Sequence, residues 1–216
     1  MPSRASKRIS RDSVEFARVL AFTDGVFAIA ITLLVLGISE PVLGARSGDA
    51  GALWDALGDL LPEIISFFIG FAVIGRYWVA HHQNVGQLSA MDYGFVGLNL
   101  VYLCFIALLP FPTELLGSYL ENPVAVAVYA AVAGIVSGLE VVLFRHSYRR
   151  DLLARPLPER IFRWGATMSL LPVLFFLLSV PVAFVGTGLA LAMWFLVLPA
   201  ELVLKRWAPP DFDDYF

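Results

Sequence analysis

Between Arg18 and Ile38 the chain reads RVLAFTDGVFAIAITLLVLGI, an apolar run of bilayer-crossing length with one carboxylate, Asp24, inside it. A charge at membrane depth is costly, so such a residue marks a functional site by default. With Asp24 as the zero direction of an α-helix, Thr32, Gly25, Leu36 and Ile29 fall at roughly 80° to 140°, with Phe22 and Leu33 at the edge. A narrow stripe of small, branched and hydroxyl side chains suits a helix lining a thin pore. Taken alone, such a stripe is more often a packed helix seam, with Thr32 bonded to its own backbone. Asp24 points away from the stripe, toward Ala28, Ile31 and Val35. The expectation is that it turns into protein and braces the helix, with Arg18, Arg76, His81, His82 and Asn99 as candidate partners.

Other chemistry-bearing residues are sparse. His81 and His82 are adjacent and so point to different faces of a helix, which argues against a shared metal site. The expectation is one buried, hydrogen-bonded histidine and one interfacial histidine, with pH tuning open to both. Neither they nor Asp24 and Asp92 stand in a nucleophile–base or His-Glu-x-x-His spacing, so catalytic residues and metal ligands are expected to be none. The single cysteine, Cys104, cannot form an intrachain disulfide. Glu140 and Arg145 are too far apart for a helical pair and receive no joint role, whereas Glu201 and Lys205 have the spacing of a surface pair.

These residues need a membrane scaffold. The 216-residue chain is 59% hydrophobic and 15% charged, with mean hydropathy +0.77. Soluble domains carry roughly 45–50% apolar and about 25% charged residues, so this is an integral membrane protein in a lipid bilayer. The formal net charge of -3 gives no footprint for nucleic acid. Spanning runs recur near 18–38, 60–80, 94–111, 123–144, 162–182 and 186–204, forming one six-span domain over 1–216. The first run is longer than a signal-peptide core of about 7–15 residues and lacks a small-residue cleavage site, so it is read as a retained span. The turn Val185-Gly186-Thr187-Gly188 makes the last two spans a tight hairpin. Pro110, Pro112, Pro172, Pro181 and Pro199 predict kinks rather than breaks.

Basic residues alternate between loops. Arg4, Lys7, Arg8, Arg11 and Arg18 precede or begin the first span; Arg145, Arg149, Arg150, Arg155, Arg160 and Arg163 cluster at 145–163; Lys205 and Arg206 follow the last span. Segment 39–59 has only Arg46 against Glu40, Asp49, Asp55 and Asp59. The positive-inside rule therefore puts both termini in the cytoplasm. Trp54, Trp78, Trp164 and Trp207 sit near span ends, as interfacial anchors do. The tail DFDDYF is expected to be mobile. The acidic residues Glu40, Asp49, Asp55, Asp59 and Glu63 either concentrate cations at an outer mouth or form a solvated loop.

Residues 18–34 resemble the signature R-x-x-x-F-S-D-G-x-x-A-I-x-x-T of the transmembrane protein 175 family, the lysosomal potassium channels of animals and their prokaryotic homologues. W-V-A-H-H at 78–82 and the run from Asn99 to Thr113, N-L-V-Y-L-x-F-I-A-L-L-P-F-P-T, are similar to that family too. Thr23 stands where the family has Ser. The resemblance implies an all-α fold without the filter loop of ordinary potassium channels, and the sequence contains no TVGYG-like segment. The motif occurs once, which implies one repeat per chain, a homotetramer with the first helix lining its pore, and a prokaryotic plasma membrane. By position, Ile29, Leu33 and Leu36 match the family's hydrophobic constriction and Thr32 its potassium-preferring threonine layer. Arg18, Phe22, Thr23, Asp24, His81, His82 and Asn99 are expected to form a structural polar network. Monovalent cations pass, potassium over sodium with modest selectivity, and no cofactor is required.

Two other readings remain open. Six spans with proline-broken helices also suit a proton- or ion-coupled secondary transporter, although nothing in 123–204 repeats the F-T-D-G pattern. A membrane enzyme would draw on His81, His82, Asp24 and Asp92.

Overall fold

A computed structural model describes residues 8–212 and Tyr215. Arg4, Lys7, Asp213, Asp214 and Phe216 lie outside the described residues. The helices are α1 (Val14–Leu33), α2 (Ala50–Asp59), α3 (Leu61–Gly86), α4 (Tyr93–Leu108), α5 (Pro110–Ser118), α6 (Pro123–Arg149), α7 (Glu159–Ala183), α8 (Thr187–Phe195) and α9 (Val197–Lys205). Two short strands, β1 (Arg8–Ser10) and β2 (Ala90–Asp92), join them.

Among the described residues, six stretches are long and apolar enough to cross a membrane: Val14–Gly37, Leu61–Gly86, Tyr93–Ser118, Pro123–Arg149, Glu159–Ala183 and Thr187–Lys205. Each overlaps one of the six spans expected from the sequence. An even number of crossings returns the chain to the face on which it started. The third crossing is α4 plus α5, broken at Leu109 where Pro110 withdraws an amide donor. The sixth is α8 plus α9, broken at Leu196 ahead of Pro199. In contrast, α7 runs unbroken through Pro172 and Pro181.

Helix starts follow from capping side chains. Ser13, Asp49, Asp92 and Asn122 accept amide hydrogen bonds at the first turns of α1, α2, α4 and α6. The capping of α2 gives Asp49 a structural task. Glu63 has one too: its carboxylate accepts the Ser39 amide at 2.7 Å.

The centre of the bundle is α6. Half of its membrane window is buried, against 22% for α1 and 17% for α7. Phe27, Ile74, Tyr102, Ile106 and Val136 form the main core, drawn from α1, α3, α4 and α6. The flanking helices leave large apolar side chains exposed, Phe68, Leu178 and Leu202 among them. Such surface is stable only against lipid or another protein.

The ribbon of β1 and β2 was not legible in the pattern. It pairs antiparallel, Arg8 with Asp92 and Ser10 with Ala90. Two arginines that read as topology signals fasten it. Arg11 donates to the Gly86 and Leu88 carbonyls at 2.6 and 2.7 Å, and Arg8 donates to the Arg150 carbonyl at 2.9 Å. Cations suit helix C-termini because the last carbonyls carry partial negative charge. The start of α1 is thereby tied to the ends of α3 and α6.

Asp92 sits at the middle of this clasp, 2% exposed. It caps Phe95 at 2.7 Å, meets His146 Nε2 at 2.8 Å and lies 3.6 Å from Arg150 Nε. Burial pushes its carboxyl up, but the Phe95 amide, His146 and Arg150 together hold it below the ordinary carboxylate value. A lowered native pKa stabilises the fold above the unfolded value of about 4 and is lost as pH falls further. Asp92→Asn keeps a capping oxygen but loses the charge. The expected cost at neutral pH is on the order of 1–3 kcal/mol. Melting temperatures in detergent should show the gap to wild type shrinking below about pH 4.

Candidate functional site on the first helix

α1 has two unlike faces. Phe16, Thr23, Phe27 and Ala30 are buried, as is Leu34 just beyond its end. They fall at roughly 240° to 300° on the wheel that has Asp24 at zero. The stripe of Gly25, Ile29 and Thr32 lies nearly opposite and is exposed in the single chain, Ile29 to 61%. The stripe is therefore not a packing seam within this chain.

The wheel holds only to Leu33. Leu34–Gly37 form a 3₁₀ turn, in which residues three apart eclipse. Leu36 thus stands over Leu33, not over Ile29 and Thr32 as uniform α-helix would place it. Both are exposed, at 75% and 41%. The turn is set by contact: Gly37 packs against Glu114 of α5.

Thr32 donates its hydroxyl proton to the Ala28 and Ile29 carbonyls at 3.0 and 2.9 Å. The proton is directed inward, so the lone pairs of the hydroxyl oxygen face the open side. An exposed face otherwise made of apolar Ile29, Leu33 and Leu36 carries one hydroxyl acceptor.

Behind this face the expected polar residues fall into separate clusters. Thr23 accepts from Asn99 of α4 at 2.9 Å, both side chains being buried. Asp24 does turn to a neighbouring helix, but none of the five candidate partners holds it. Its Oδ1 accepts from Trp78 Nε1 at 3.0 Å, and the His82 ring stacks on that indole at 5.2 Å. Asp24 leaves α1 at the border of its exposed face, where the indole of α3 reaches it. Arg76 is turned away to Glu201 of α9 at 3.1 Å, which also gives Glu201 a partner other than Lys205. Trp78 is a residue that interfacial-anchor reasoning under-read.

Arg18 and Phe22 stand outside these clusters. Both are exposed and line a groove of about 600 Å³ between α1 and α4, with Glu15, Val96 and Asn99 on its walls. His81 is buried and bonded to Glu140 of α6 at 3.1 Å, while Asn84 donates to the same carboxylate at 2.6 Å. Glu140 was missed; the signal available was an acidic residue inside a spanning run.

The four residues of the enzyme reading are held by three different partners: His81 by Glu140, His82 and Asp24 by Trp78, and Asp92 by His146. Only His82 and Asp24 share a neighbour, and it is an indole. No group of His, Cys, Asp and Glu suited to a metal occurs among the described residues.

Comparison with known proteins points one way. Residues 18–110 match the family model described as the endosomal/lysosomal potassium channel TMEM175. A potassium channel of Chamaesiphon minutus is 33% identical over 192 residues, covering 84% of this chain and 93% of that protein. A potassium channel of Streptomyces collinus is 43% identical over 122 residues, 56% of this chain and 57% of that relative. The crystal structure of a lysosomal potassium-selective channel TMEM175 homologue from Chamaesiphon minutus superposes with a TM-score of 0.70 at 30% identity. It covers 88% of this chain and 98% of that one.

Proposed function

Because this chain belongs to the TMEM175 family, we propose that it is a potassium-permeable cation channel, a homotetramer in which four copies of α1 surround one pore. The family is one of ion channels, so the enzyme reading is set aside. The observation that carries the proposal is the two-faced first helix. Its Phe16–Phe27–Leu34 side is buried in the chain's own core, and its Ile29–Thr32 side is left bare.

In such an assembly four Ile29 side chains form the narrowest apolar ring, with Leu33 and Leu36 as further rings outward. Hydrophobic constrictions gate by excluding water. Conduction needs the ring to widen enough for a partly hydrated cation. Thr32, whose hydroxyl oxygen is turned outward, replaces some of the lost water. Potassium gives up hydration more readily than sodium, so the preference is real but modest. The clasp at the chain ends, together with Thr23–Asn99 and Asp24–Trp78, fixes the tilt of α1. The termini face the cytoplasm of a prokaryotic cell, consistent with the basic loops.

The test is ion flux into liposomes holding the purified protein. Fast potassium flux down its gradient, several-fold above sodium, is the expected result. Saturable flux that requires a coupled counter-ion would replace the channel with the secondary transporter.

A further inference from the structure

The segment that joins α6 to α7 carries more charge than the fold uses. From Arg145 to Arg163 it holds six arginines against two carboxylates, Asp151 and Glu159. Arg150 lies 3.6 Å from Asp92, and Arg160 is paired with Asp211. Arg145, Arg149 and Arg163 are exposed. Among the described residues, no carboxylate forms an ion pair with any of these three, Asp151 and Glu159 included.

Helical pitch and ring contacts place the three on one side. The ring of Phe162 on α7 stacks on Phe144 and Tyr148 of α6, with centroids 5.4 and 3.9 Å apart. Each helix is a membrane crossing and one follows the other in the chain, so they run antiparallel. In an antiparallel pair the residue after each contact residue turns to the same side. Arg145, Arg149 and Arg163 are those residues. Arg145 and Arg149 stand one turn apart, about 6 Å along the axis, and Arg163 is level with them across the seam.

Beneath the arginines the same side is apolar. Two turns further into the membrane lie Gly138 and Val142 on α6 and Leu170 on α7, with Leu174 one turn beyond. Val142, Leu170 and Leu174 are 44%, 42% and 52% exposed. A Cβ at Gly138 would meet nothing within 4 Å. The rest of the chain therefore leaves this strip open. The positive-inside rule asks only that the loop be basic. It does not ask for three free arginines grouped above an open apolar strip.

The occupant such a surface fits is anionic at the interface and apolar below it. A soluble anion or a nucleic acid would leave the strip bare. Guanidinium groups match phosphate oxygens in geometry as well as charge. We propose that the bases of α6 and α7 form a binding site for an anionic phospholipid of the leaflet that the basic loops face. Its phosphate lies among Arg145, Arg149 and Arg163, and an acyl chain follows Gly138, Val142 and Leu170. Because the arginines come from two helices, the bound headgroup ties the base of α6 to the base of α7.

The test is native mass spectrometry of the purified protein titrated with palmitoyl-oleoyl phosphatidylglycerol, against phosphatidylcholine with the same chains. Wild type should hold phosphatidylglycerol on the order of a hundredfold more tightly, the expectation for three arginines near a membrane surface. Arg145→Gln combined with Arg163→Gln should weaken that binding on the order of thirtyfold. Arg155→Gln combined with Arg206→Gln removes the same charge from exposed positions outside the two helices, and should weaken it less than about threefold. Equal loss in the two double variants overturns the site, because attraction would then be diffuse. Equal retention of the two lipids by wild type overturns it whether or not any variant folds. Full displacement of phosphatidylglycerol by millimolar inorganic phosphate overturns the lipid as occupant, because a free anion would then suffice.

Discussion

Ile29→Asn in liposomes should raise potassium flux on the order of tenfold, which corresponds to lowering the barrier by about 1.4 kcal/mol. The argument is local. Ile29 is 61% exposed on the bare face of α1, so the change removes no core contact and should leave the stability within about 0.5 kcal/mol of wild type. An amide at an apolar neck offers water a donor and an acceptor, and a neck that holds water no longer blocks an ion. The potassium preference should fall with the barrier, because an ion that keeps its hydration is sampled less by Thr32. Unchanged flux and selectivity would move the constriction away from Ile29.

Gly70→Leu should be severely damaging to the fold. A Cβ at Gly70 would lie 2.6 Å from Thr113 Cγ2 and 3.1 Å from Leu34 Cδ2. Thr113 has little room to yield: it is β-branched, buried, and bonded to the Leu109 carbonyl at 2.8 Å. Any side chain at position 70 therefore separates α3 from α5 and from the turn that carries Leu36. Gly70→Ala should cost about 1–3 kcal/mol, and the larger Leu should prevent recovery of folded protein. Gly97→Ala is the control. Nothing lies within 4 Å of a Cβ there, so the gain in helix propensity should stabilise by up to about 1 kcal/mol. Melting curves of the purified variants read both signs.

Much of the scaffold was legible because a bilayer enforces simple rules. Backbone groups must be satisfied internally, so apolar runs of spanning length become helices, and six such runs became six crossings. The stripe of α1 was also legible as a face, since helical periodicity separates Ile29 and Thr32 from Phe27 and Ala30 whatever surrounds them, but that it is bare was shown only by the structure. What periodicity could not supply was the conformation after Leu33. The change to a 3₁₀ turn depends on the packing of Gly37 against Glu114, more than seventy residues away in sequence.

The partners of the polar residues were decided by tertiary structure for the same reason. Asp24 had five plausible mates and took Trp78, whose indole reaches from α3 to the border of the exposed face. Glu140 looked idle because its partners, His81 and Asn84, lie on a different helix. Arg8 and Arg11 looked like orientation signals, and both are also clasps on the carbonyl ends of other helices. The sequence by itself determined that the chain crosses a membrane six times and which residues of the first helix share a face, because both follow from local hydropathy and helical pitch. Only the tertiary structure decided which buried charges meet, because that depends on the rotation and depth of helices that no local pattern specifies.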